Sequence, residues 1–391
     1  LIWRYHPIII PKQQVYPCLL PLGKVMKETI GSFAADVPSH WKTMEQPNNA
    51  AASTAKIKLT PSAIVRYLDQ HVIGQDEAKR ALAVVVYQHY KKITHSIVPT
   101  DNSVAAVALG KSNVLLIGPT GTGKTLLCDT LSRAINVPFV TADATSLAQT
   151  KYVNEEIEAI LQRLLNKADG NIARAERGIV FIDEIDKLKA ADPQSRSTSG
   201  ESVQHSLLKI MEGSLVKLNN GQSLDTANIL FICGGAFVGL EKVVANSKAF
   251  GFISLTDANN QLILDRLNSR IKPTDLIAYG LIPEFTGRLP VVASLKPLST
   301  ALLVKIMTEP KNCLYNQFRE VIKREGAALH IAPRVFEEIA SLAAEYKVGA
   351  RSLRGIFEEM IAPVLFILPD RSDIKRVEIS SLFEEAKFST E

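Results

Sequence analysis

Val114-Leu115-Leu116-Ile117, followed by Gly118-Pro119-Thr120-Gly121-Thr122-Gly123-Lys124-Thr125-Leu126, is the stretch that decides the fold. Four aliphatic residues without a polar interruption read as a strand buried on both faces. From Gly123 to Ala134 the spacing is helical, so a glycine-rich loop joins a strand to a helix. The loop fits GxxxxGK[ST] in the context its mechanism requires. Glycines let backbone N–H groups curl round phosphate oxygens, and the helix N-terminus adds a favourable dipole. Lys124 is then expected to reach the β- and γ-phosphates and the Thr125 hydroxyl to hold Mg²⁺, which makes ATP and Mg²⁺ the expected ligands.

About sixty residues further on, Ile179-Val180-Phe181-Ile182 ends in Asp183-Glu184. A buried strand of a parallel sheet delivers the residues at its C-terminal end to the ligand crevice. Asp183 is the expected Mg²⁺ ligand, through water, and Glu184 the expected group that polarises the attacking water. An apolar strand ending in Asp-Glu is weak evidence by itself; paired with the phosphate loop it signals nucleotide hydrolysis.

The surrounding pattern alternates. Val137 to Val140 and Ile229 to Ile232 read as further strands, and Glu155 to Ala168 and Val203 to Met211 as helices. Strand alternating with helix predicts an α/β fold with a mostly parallel sheet covered on both sides. Upstream, Pro61 to Lys92 reads as two helices around Gly74. Beyond Pro297 the pattern is mainly helical, with breaks expected at Pro310 and Pro363. The expected organisation is a leader and linker over 1–56, a large α/β domain over 57–298 and a small, mainly helical domain over 299–391.

Composition narrows the class. In 391 residues, 46% hydrophobic and 22% charged residues exclude wholesale disorder. A net charge of +5 without a dense basic block argues for no nucleic-acid partner, and no apolar run is long enough to span a bilayer, so no membrane partner is expected. Cys18, Cys128, Cys233 and Cys313 form neither a CxxC pair nor a metal cluster. Leu1 to Lys27 holds no Asp or Glu but carries Arg4, Lys12, Lys24 and Lys27, a balance suited to an organelle-targeting segment, although four prolines would interrupt a helix there. The expected compartment is the mitochondrial matrix, with the bacterial cytoplasm as the alternative.

The glycine-rich loop and Gly178-Ile-Val-Phe-Ile-Asp-Glu-Ile-Asp-Lys187 together resemble the ClpX family of AAA+ unfoldases, and the likeness runs from about Pro61 to Pro369. The resemblance implies a P-loop AAA+ sheet with flanking helices plus the small helical domain. It adds Val72 and Ile73, in Val72-Ile-Gly-Gln75, to the nucleotide-binding set of Gly118 to Leu126. It places Arg288, in Pro283-Glu-Phe-Thr-Gly-Arg-Leu-Pro290, as the arginine that completes a neighbouring subunit's site, and Arg351, in Gly349-Ala-Arg351, as a sensor of the subunit's own nucleotide. It also implies a homo-hexameric ring that threads unfolded or tagged protein substrates past Tyr152 and Val153 to the ClpP peptidase, which would dock at Phe250-Gly251-Phe252.

Departures from the family pattern leave alternatives open. Lys151 and Asn154 stand where the family flanks Tyr-Val with glycines, and Arg196-Ser197-Thr198 replaces an expected Arg-Asp-Val. The paired cysteines of the family's N-terminal zinc-binding domain are absent from this sequence. A non-degradative remodeller and a regulatory nucleotide-binding subunit of a mixed ring therefore stand beside the unfoldase reading.

Overall fold

Short aliphatic strands, buried on both faces, build the centre of this protein. The computed structural model describes residues 60–95, 111–150, 152–189, 200–248, 271–346 and 348–390. All belong to one unit, Lys56–Glu391. Outside the described residues lie the leader, Lys151, Arg196-Ser197-Thr198 and the expected docking tripeptide Phe250-Gly251-Phe252.

A five-stranded sheet has β1 (Val114–Ile117), β2 (Phe139–Asp143), β3 (Ile179–Asp183), β6 (Leu230–Gly235) and β7 (Val291–Ser294) in the order β2-β3-β6-β1-β7. Every pairing in it is parallel. Val114, Leu116, Ile179, Phe181, Leu230 and Ile232 point into one core, against helices Pro61–Asp69, Asp76–His95 and Lys124–Ile135. Leu115, Ile117, Val180, Ile182, Phe231 and Cys233 point into the other, against Val153–Lys167 and Gly200–Glu212. Alternation puts neighbours on opposite faces, and each fully buried aliphatic side chain contributes about 1.5–3 kcal/mol. β4 (Leu215–Lys217) and β5 (Ser223–Asp225) form a separate antiparallel hairpin.

The parallel sheet and both helical layers agree with the sequence pattern, with three differences. β2 starts two residues later than expected because Pro138 has no N–H to give a ladder. β7 is an unanticipated edge strand, held to β1 from Val114↔Val291 to Ile117↔Ser294. The C-terminal part, although mainly helical, also carries β8 (Ala328–Ile331), β9 (Arg376–Ile379) and β10 (Lys387–Ser389) in one small sheet.

That part has its own apolar core, from Leu303 and Met307 through Phe336 and Phe357 to Ile379. The expected break at Pro310 is present, between helices Thr300–Thr308 and Leu314–Arg324. No break occurs at Pro363, which lies inside the helix Arg351–Ile367. Its ring is exposed, so the carbonyl it orphans can face water, while Phe357, Ile361 and Val364 anchor the helix on either side.

Candidate functional site

The order of the strands assembles the site. β6 lies between β1 and β3, so the glycine-rich loop after β1 and the acid pair after β3 flank the C-terminal end of β6. Gly118 donates its N–H to the carbonyl of Gly235 at 3.1 Å, tying the loop to that end. A Cβ on Gly235 would stand 2.5 Å from Oδ1 of Asp186, so only glycine fits beside this carboxylate. Asp186 is buried and accepts the backbone N–H groups of Ala236 and Phe237, each at 3.2 Å. It latches the turn behind the acid pair to the end of β6. Sequence reading gave it no role, although its place three residues after Asp183 was visible.

Within the loop, Gly121 has φ +80°, and a Cβ there would meet the Val348 carbonyl oxygen at 2.1 Å. Here the backbone of the C-terminal part closes on the phosphate loop, and Ala350 donates its N–H to the Gly121 carbonyl at 3.2 Å. Pro119 and Thr120 are exposed, whereas Thr122 is buried, with its hydroxyl donating to the Pro119 carbonyl at 2.8 Å. Gly123 caps the helix Lys124–Ile135, which leaves its first N–H groups open to an anion. Lys124 is buried and donates to the carbonyls of Gly118 at 2.6 Å and Pro119 at 3.2 Å. Burial lowers its pKa, Asp183 and Asp186 pull it back up, and Arg351 adds to the lowering.

The Thr125 hydroxyl donates to Oδ2 of Asp183 at 3.4 Å. Two hard oxygens on a helix N-terminus and a strand end suit Mg²⁺, which takes one or two protein oxygens and completes its shell with phosphate and water. Glu184 donates its backbone N–H to Oδ1 of Asp183 at 2.9 Å and sits at φ +58°. This left-handed turn, with a cost of about 1–3 kcal/mol for a residue with a side chain, swings the exposed Glu184 out of the strand direction.

Thr125, Asp183, Glu184 and Arg351 line one cleft of about 740 Å³, together with Thr141, Asp143, Glu156 and Arg163. Arg351 comes from the first turn of Arg351–Ile367, so the C-terminal part supplies a cation to a site built by the sheet. Val72 and Ile73 do not line this cleft: Val72 is buried in the core beside the sheet and Ile73 is half-buried. Leu126 is half-exposed on the helix that follows the loop. Cys233 is fully buried, which raises its pKa to about 12, so its thiol stays neutral and packs rather than meeting an anion.

Arg288 is not brought to the cleft. It follows the short helix Pro283–Gly287, and its guanidinium pairs with Oε1 of Glu212, Nη2 at 2.6 Å and Nε at 2.9 Å. Tyr152 is 65% exposed and opens the helix Val153–Lys167, its N–H donating to the Thr150 hydroxyl at 2.8 Å. Val153 is half-buried against the core, so the expected gripping pair presents chiefly its tyrosine.

A profile described as AAA domain (Cdc48 subfamily) matches residues 110–292, which contain both strand ends of the site. The chain is 45% identical over 340 residues to the ATP-dependent Clp protease ATP-binding subunit ClpX 3 of Methylococcus capsulatus, covering 81% of this chain and 78% of that relative. It is 44% identical to the ClpX subunits of Bacteroides thetaiotaomicron, covering 84% of this chain and 82% of the relative, and of Bacteroides fragilis, covering 85% and 83%. These relatives are bacterial and lend nothing to the mitochondrial expectation; among the described residues no helix is long and apolar enough to cross a membrane. With a phosphate loop, an acid pair and a cation from the C-terminal part on one α/β frame, this chain is an ATP hydrolase and belongs to the ClpX family of AAA+ ATPases.

Proposed function

We propose that the chain is an ATP-driven protein unfoldase, working as a ring of identical subunits, most simply a homo-hexamer, that passes unfolded or tagged proteins through its pore to the ClpP peptidase. The observation that carries this reading is the split between residues that meet at one cleft and Arg288, which does not. A trans-acting arginine cannot stand in the site of its own chain, and its absence there is what an intersubunit ATP site requires. Support for the peptidase comes from the relatives, each named as a subunit of an ATP-dependent Clp protease.

In this reading Lys124 and the N–H groups of Gly121 to Thr125 bind the phosphates, with Val72, Ile73 and Leu126 on the base side. Thr125 and Asp183 hold Mg²⁺, which when bound neutralises charge on the phosphate oxygens. Glu184 orients the attacking water and accepts its proton. Arg351 senses the γ-phosphate from within the subunit, and Arg288 of the neighbour stabilises the charge that builds up during transfer. The division near residue 298 belongs to the same reading: the separate core after Leu298 lets the C-terminal part move as a body while Arg351 and the Gly121–Val348 contact report the state of the loop. Tyr152 grips the polypeptide by apolar contact, and Phe250-Gly251-Phe252 docks the peptidase. The bacterial cytoplasm is the compartment that fits the relatives.

The test is ATP-dependent unfolding of a stable fluorescent protein bearing a degradation tag, with and without the peptidase. Loss of fluorescence with ATP, and fragments when ClpP is added, is the expected result. Fluorescence that survives both conditions overturns the unfoldase reading, and unfolding without fragments removes the peptidase from it.

A further inference from the structure

Two buried carboxamides bracket the segment that carries Arg288. Gln204 is 0% exposed in the helix Gly200–Glu212. Its Nε2 donates to the carbonyl of Leu188 at 2.7 Å, and its Oε1 accepts the N–H of Ile282 at 2.9 Å. Leu188 ends the turn Ile185–Leu188 that begins directly after Glu184, and Ile282 caps the helix Pro283–Gly287 that leads to Arg288. One side chain thus joins the acid-bearing turn to the arginine-bearing segment.

At the far end Asn113, 1% exposed just before β1, donates from Nδ2 to the carbonyls of Arg288 at 3.2 Å and Met211 at 3.4 Å. Its Oδ1 accepts the N–H of Phe231 in β6 at 3.4 Å. Both amides have one orientation only, since a flip would set oxygen against carbonyl. An aliphatic side chain would fill either space but leave buried backbone groups unpaired. Core packing needs neither amide; holding these backbone groups does.

We propose that Gln204 and Asn113 are positioning residues for Arg288, fixing it in the frame of the subunit's own phosphate strand and acid turn, so that the arginine offered to a neighbour follows the state of the site beside it. The proposal rests on Arg288 acting in trans.

Gln204→Met in the full chain removes both bonds at similar volume. Turnover should fall about tenfold to a hundredfold, as expected for a displaced catalytic group, with ATP affinity unchanged. The deciding step mixes these subunits with Glu184→Gln subunits, whose own sites stall but whose Arg288 is correctly held. Hydrolysis per Gln204→Met subunit should rise about fivefold or more, because sound arginines now reach sound sites. Arg288→Ala is mixed in parallel. Rescue of Arg288→Ala without rescue of Gln204→Met overturns the positioning role, as does parental turnover by Gln204→Met alone. Rescue of neither shows that the trans reading has failed and takes this proposal with it. Should Gln204→Met not fold, Gln204→Asn, too short to span both partners, enters the same mixing with the same outcomes.

Discussion

Lys124, Asp183, Glu184 and Arg351 are gathered at one edge of the sheet, whereas Arg288 has a fixed backbone and a guanidinium turned onto Glu212 elsewhere on the surface. The two regions are held by different physics. Around the phosphate loop, buried groups are locked by hydrogen bonds and close backbone packing: Lys124 bonds to Gly118, Asp186 to two backbone N–H groups, and Gly121 lies against Val348 while accepting the N–H of Ala350. The Arg288–Glu212 pair is half-exposed on both sides, at 53% and 42%, where an ion pair contributes only about 0–1 kcal/mol. Such a guanidinium is released cheaply to a better acceptor. One region is a locked cleft; the other is a movable charge on a rigid base.

If that contrast is right, the largest effect belongs to Arg288. Arg288→Ala should lower hydrolysis about a thousandfold at saturating ATP while leaving nucleotide affinity unchanged, read by phosphate release and by binding of a fluorescent ATP analogue. A matching loss of affinity would return Arg288 to its own subunit's site. Glu184→Gln should lose about a hundredfold in turnover and keep ATP bound, and hydrolysis equal to the parent would remove Glu184 from its role. Lys124→Ala should weaken ATP binding about 10- to 100-fold, the loss of a charge-assisted contact to phosphate, measured by the same analogue. Smallest is Tyr152→Ala: an exposed side chain away from the cleft should change ATP turnover by less than about twofold while unfolding of the reporter drops. Equal loss of both would place Tyr152 in the ATPase machinery instead of the pore.

The sequence was most legible where chemistry is local. A glycine-rich loop needs its neighbours in sequence, and a strand-end acid pair needs four apolar residues before it, so Gly118 to Thr125 and Asp183-Glu184 could be read directly. β7 was missed because Val291-Val292-Ala293-Ser294, bounded by Pro290 and Pro297, is a strand only through its pairing with β1. The small C-terminal sheet was findable: the buried Leu329 and Ile331, and Val377 and Ile379, alternate with exposed or half-buried residues at period two. Pro363 misled because the rule for proline concerns a lost N–H, and an exposed position on an anchored helix tolerates that loss. The latch at Asp186 and the bridge at Gln204 were hidden for a different reason: their partners, Ala236 and Ile282, lie 50 and 78 residues away, and no local pattern marks a side chain that bonds to distant backbone.

The most direct measurement combines two inactive proteins. Arg288→Ala subunits keep a complete cleft and Glu184→Gln subunits keep a complete arginine, so an equal mixture allowed to exchange should hydrolyse ATP far faster than either preparation. Activity no higher than the average of the two would mean that each chain works alone, and would contradict an ATP site completed by a second copy.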